Sequence, residues 1–187
     1  MIFQFTGLSG AGKSSIAQGV QQLLQQHGFP AEVVDGDQYR QTICKGLGFS
    51  KEDRCENIRR LGAVAQTLRN AGFIAIIAAI NPYESARREL TERYNAKNIW
   101  IHCPINLLIR RDTKGLYKKA LLPDDHPEKI KNLTGINDTY EAPADADLVI
   151  DTGSEGLQES VQKVFEFILA QLPAQHTTAY NVKDKQA

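Results

Sequence analysis

A chain of 187 residues with 42% apolar and 24% charged residues has room for one domain with a sizeable core. Its 22 basic and 22 acidic residues cancel, so no global field points to nucleic acid or to a membrane surface. Three cysteines, Cys44, Cys55 and Cys103, include no CxxC pair, which argues against a disulfide framework or a structural zinc site and fits a reducing compartment.

The opening MIFQFTGLSG lacks a basic start and a long apolar stretch, and no apolar run nears the roughly 18 residues of a membrane span. The expectation is a soluble, untargeted protein of the cytoplasm. Ile2 to Thr6 reads as a short strand. It ends in glycine before a helical pattern with Ile16, Ala17, Val20, Leu23 and Leu24 on one face. Gly28 and Pro30 punctuate, and Ala31 to Val34 reads as a second strand that stops at Asp35-Gly36-Asp37, with a polar helix through Arg40. Ser50 is placed to cap the next helix, with Asp53 three residues on. Ile58, Leu61, Ala65 and Leu68 form its buried stripe, and Gly72 ends it. Phe73 to Ile80 is nearly continuous in apolar residues, as expected of a central parallel strand covered on both faces.

Glu84 to Tyr94 reads as a charged surface helix, Asn98 to His102 as a fourth strand and Leu148 to Ile150 as a fifth. Leu157, Val161, Val164, Phe165, Ile168 and Leu169 give a last helix that docks on the core. Between the last two strands, residues 112–143 carry Lys, Gly and Pro with little period, and a segment of that length is expected to be a mobile lid. The reading is one α/β domain over 1–172, with a mainly parallel five-stranded sheet flanked by helices, followed by a polar, flexible tail over 173–187.

Gly7-Leu8-Ser9-Gly10-Ala11-Gly12-Lys13-Ser14 matches GxxxxGK[ST] between a strand and a helix, which makes the fold that of a P-loop nucleotide kinase. Glycines leave backbone N–H groups free to face phosphate at a helix N-terminus. Lys13 should reach the β and γ phosphates of ATP and Ser14 should ligate Mg²⁺. Asp35 and Asp37 follow the second strand, where carboxylates can hold a metal or its water, or accept a proton from an attacking hydroxyl. Arg40, Arg54, Arg59 and Arg60 are candidate anion contacts, although Arg59 and Arg60 are adjacent on a helix and cannot both face one ligand. The cysteines are expected to serve in packing.

With these residues in view the chain resembles the adenylylsulfate kinase family, whose members phosphorylate adenosine 5′-phosphosulfate (APS) on its 3′-hydroxyl. The resemblance runs from about Phe3 to Thr152 through FTGLSGAGKSS, VDGDQYR, LGFSKEDRCENIRR, INPYE, RDTKGLYKKA, KIKNLTGINDTYEAP and LVIDT. It implies that ATP and Mg²⁺ are used, with the phosphate loop extending through Ser15 and Arg111 near the ATP end. Asp37 is then the base candidate, and Asp35 supports it or the metal. Arg40, Arg54 and Asn57 would contact APS, Phe49 would stack on its adenine, and Ile80 with Asn81 would wall the pocket. Lys114 and Lys131 would be lid positions near the nucleotides. Relatives often dimerise, so a homodimer is a further expectation. Leu133 stands where the family usually has a second stacking phenylalanine, Asn81 where it has serine, and Glu84 where it has arginine. Residues 122–127 look like a short lid insertion. These departures keep open a related acceptor such as a cytidylyl phosphoramidate. A non-catalytic nucleotide-binding module is a third reading.

Overall fold

A computed structural model describes residues 1–173; the tail expected from residue 173 lies, from 174 onward, outside the described residues. In chain order the elements are β1 (Ile2–Thr6), α1 (Lys13–Gln26), β2 (Ala31–Asp35), α2 (Gly36–Tyr39), α3 (Lys51–Asn70) and β3 (Ile74–Ala78). There follow α4 (Glu84–Tyr94), β4 (Lys97–His102), α5 (Ile105–Arg111), α6 (Leu116–Ala120), β5 (Leu148–Asp151) and α7 (Leu157–Gln171). The five strands form one sheet in the order β2-β3-β1-β4-β5, and every pairing is parallel.

Strands β1 and β3 are buried at every residue because helices cover both faces, which is why their sequences do not alternate. On one face Phe3, Phe5, Ile76 and Ile101 pack with Ile16 and Val20 of α1 and Phe165 and Ile168 of α7. On the other, Ile2, Ala75 and Ile77 pack with Ile58 and Leu61 of α3 and Leu90 of α4. Strand β3 stops at Ala78, short of the expected Ile80, so Ala79 and Ile80 leave the sheet at its carboxyl edge, where ligands of such folds gather. Ser50 caps α3 as expected, its Oγ accepting from Asp53 N at 3.1 Å.

Two expectations need correction. Helix α4 is not purely a surface helix: Arg87 on its inner face is only 1% exposed. The segment 112–143 is also more structured than its weak period suggested. The Asp112 carboxylate accepts from Tyr117 N and Lys118 N, starting α6, and Tyr117, Ala120, Leu133 and Thr134 are buried. Helix α5 before it was not foreseen. Five- to seven-residue helices are too short for a period to show, and capping plus packing make them. Of the insertion 122–127, Leu122 is half-buried and residues 123–127 are exposed. Among the described residues no helix is long and apolar enough to cross a membrane.

Candidate active site

The glycine-rich turn sits between β1 and α1 because only glycine fits there. A Cβ on Gly7 would lie 2.3 Å from Ile101 O, and Gly12 caps α1 at φ +98°. Lys13 Nζ folds back to donate to Gly7 O and Leu8 O, both at 2.8 Å. Burial pulls its pKa down to about 8, Lys114 adds to that, and the Asp37 and Asp35 carboxylates oppose it. The loop is braced from the lid side by Tyr117, whose hydroxyl donates to Ser9 O at 2.8 Å. The block RDTKGLYKKA contains this tyrosine, but no local spacing points to its partner, which lies 108 residues away.

Asp35 closes β2 and serves two partners. Its Oδ1 accepts from Asp37 N at 2.9 Å and Gln38 N at 3.4 Å, capping α2, while Oδ2 accepts from Ser14 Oγ at 2.6 Å. Ser14 and Asp35 thus offer two hard oxygens at the rim of the phosphate cleft. Such a pair suits Mg²⁺, which binds through one or two protein oxygens and completes its shell with phosphate and water. No group of three or more His, Cys, Asp or Glu side chains among the described residues offers a competing site. Asp37 is free to act elsewhere: its side chain is 75% exposed and pairs with Lys114 Nζ at 2.7 Å.

Two clefts meet at this carboxylate. The phosphate cleft holds Ser9, Gly10, Gly12, Lys13, Ser14 and Ser15, and the second cleft holds Arg40, Phe49, Arg54 and Asn57; both are lined by Asp37, Ala79 and Ile80. In the second cleft two guanidinium groups, of Arg40 and Arg54, lie 4.8 and 5.4 Å from the centre of the Phe49 ring, which is 52% exposed. Arg40 is held by Leu47 O and Gly48 O, and Arg54 by Phe49 O, Asn132 O and the Asp138 carboxylate. Burial, followed by repulsion from Arg54, lowers the pKa of Arg40. An anion set between the two would relieve that repulsion, and a planar base could cover the open face of Phe49. Asn57 is 6% exposed and its Oδ1 has no hydrogen-bond partner. A third cleft, on the other side of the loop, brings Arg111 beside Gly12, Ser15 and Thr152, with Arg111 Nη1 donating to Thr152 O at 3.2 Å.

Some expected site residues stand elsewhere. Leu133 is 7% exposed and packed into the core, and it does not line the cleft opposite Phe49. An apolar side chain at that position gains more from burial than from facing an open cleft. Lys131 is exposed and lines none of the three clefts. Asn81 borders the second cleft, but its side chain is buried and donates to Gln4 Oε1 at 2.9 Å. Arg59 and Arg60 point to surface carboxylates, Glu89 and Glu56. Cys44 and Cys103 are buried, in keeping with packing roles.

A sequence profile of the adenylylsulphate kinase family matches residues 1–151. An adenylyl-sulfate kinase of a Synechococcus strain is 44% identical over 87% of this chain and 90% of its own. A Sorangium cellulosum protein named "Probable bifunctional SAT/APS kinase 2" is 47% identical over 86% of this chain, which spans only 27% of that longer protein. Among solved structures, Mycobacterium tuberculosis APS kinase CysC in complex with AMPPNP and APS is similar with a TM-score of 0.81 and 35% identity. That match covers 89% of this chain and 97% of that one.

Proposed function

The chain belongs to the adenylylsulphate kinase family, and from that premise we propose that it transfers the γ-phosphate of ATP to the 3′-hydroxyl of APS, giving 3′-phosphoadenosine 5′-phosphosulfate and ADP. The observation that carries this reading is the meeting of a phosphate cleft and an arginine- and phenylalanine-lined cleft at one carboxylate, Asp37.

Backbone N–H groups from Gly10 to Ser14 cradle the triphosphate, and Lys13 exchanges its two carbonyl partners for phosphate oxygens. Arg111 flanks the donor base from the third cleft. Ser14 and Asp35 would hold Mg²⁺, which when bound would supply charge neutralisation to the phosphates of ATP. In the acceptor cleft Phe49 stacks on adenine, Arg40 and Arg54 pair with the phosphosulfate, and Asn57 uses its unpartnered oxygen on the nucleoside. Asp37 orients the 3′-hydroxyl and takes its proton as the new O–P bond forms and the bond to ADP breaks. Lys114, now paired with Asp37, is placed to move to phosphate when the lid over 112–143 closes and excludes water.

The test is phosphoryl transfer from labelled ATP by the full chain with Mg²⁺, comparing APS with cytidine and uridine nucleotide anhydrides. Label is expected on the 3′-position of APS. A preference of orders of magnitude for a cytidine compound would refute the acceptor and leave the transfer chemistry standing.

A further inference from the structure

Helix α4 carries a buried arginine that lines neither the phosphate cleft nor the acceptor cleft. The Arg87 guanidinium donates from Nη1 to Asn81 O at 2.9 Å and from Nη2 to Glu141 O at 2.7 Å. It also donates to Glu84 Oε2, from Nη2 at 2.7 Å and from Nε at 3.2 Å. The two carbonyls belong to different segments. Asn81 follows Ile80 in the wall of the acceptor cleft, and Glu141 lies on the limb by which the lid segment returns to the sheet.

That limb is tied to the site along its whole length. Asp138 lies 2.7 Å from Arg54 Nη2, and the Tyr140 hydroxyl hydrogen-bonds Thr6 Oγ1 at 3.0 Å. Glu141 N donates to Pro82 O, and the Glu141 carboxylate accepts from Glu84 N. Thr6 Oγ1 in turn contacts Ile80 O and Asn81 O. Asn81 itself stands at φ +44°, a conformation that persists in a non-glycine residue when its surroundings over-determine it.

We propose that Arg87 is a positioning residue for the acceptor: its planar fork fixes the distance between the Ile80–Pro82 wall and the 138–141 limb, and so between that wall and Arg54. Two carbonyls and a carboxylate around one guanidinium match its fixed donor geometry, whereas a lysine ammonium on a shorter reach serves them as a point charge. The P-loop meets this wall at Gly7 N, which donates to Ile80 O at 3.2 Å, but Ser9 O and Ala11 O are held from Tyr117 and Thr152, so donor binding depends on this fork far less than acceptor binding does. The choice of acceptor rests on the reaction proposed above; the role of Arg87 does not.

The experiment is steady-state kinetics of full-length R87M and R87K, varying APS at saturating ATP and ATP at saturating APS, with thermal melts of each variant. R87M should raise the APS KM ten- to a hundredfold with the ATP KM within twofold of wild type. R87K should fall between, at least threefold above wild type for APS. Equal rises in both KM values, or an unmoved APS KM, overturn the proposal. If R87M fails to fold, R87K decides alone, and a wild-type APS KM in it is refuting. Wild-type protein that does not turn over APS contradicts the acceptor and not Arg87, and the same comparison is then made with the acceptor found in the nucleotide panel.

Discussion

Phe49→Ala separates acceptor recognition from everything else in the molecule. The ring is 52% exposed, so its removal leaves no cavity in the core, and what is lost is the surface a base would cover. About half of an aromatic side chain's roughly 200 Å² remains open, and covering about 100 Å² at about 25 cal/mol per Å² is worth about 2.5 kcal/mol. Stacking of bases on aromatic side chains spans about 1 to 3 kcal/mol, so the same order follows from an independent scale. Truncation should therefore weaken APS binding by about 1 to 2.5 kcal/mol, roughly five- to seventyfold. Loss of the ring also frees Arg40 and Arg54, now stacked on it, which pushes the effect toward the upper end. The assay is APS affinity by titration calorimetry beside ATP-analogue affinity and Tm. An APS affinity within twofold of wild type, or an equal loss of ATP-analogue affinity, would refute the assignment of this cleft to the acceptor base.

Three further outcomes follow from the geometry. Lys13 has a pKa near 8 in the free protein, and phosphate binding raises it, so its charge supports ATP binding fully below pH 8. Above that pH, ATP-analogue affinity should fall by up to about tenfold per pH unit until the bound-state pKa is passed, and a flat profile from pH 7 to 9.5 would contradict it. Asp37→Asn should lower kcat about a hundredfold or more while APS KM moves little, since the carboxylate acts on the hydroxyl as the bond forms; a change confined to KM would make it a binding residue. Leu133→Phe should overpack the core at a cost of about 1 to 3 kcal/mol, seen as a lowered Tm without tighter APS binding. Tighter APS binding at unchanged Tm would return this position to the base pocket.

The strand-loop-helix with its GxxxxGK[ST] spacing was legible because it is local: glycine conformations, a helix start and a lysine fall within eight consecutive residues. The run Phe73 to Ile80 announced a doubly covered strand, which forms over Ile74–Ala78, and Ser50 with Asp53 announced a capped helix, for the same reason. The motif blocks also named Asp37, Arg40, Phe49 and Arg54, which the fold gathers around one cleft. Period and capping act over a turn or two of chain, so they fix which elements form. They do not fix which side of an element another part of the chain will cover. Hence Arg87 read as a surface charge until Asn81 and Glu141 closed over it, and Leu133 read as a pocket residue until the core took it in. Lys114 meets Asp37 across 77 residues, and Tyr117 meets Ser9 across 108. Such pairs exist only once helices have docked on the sheet, because burial then sets the distance between groups that no sequence spacing relates.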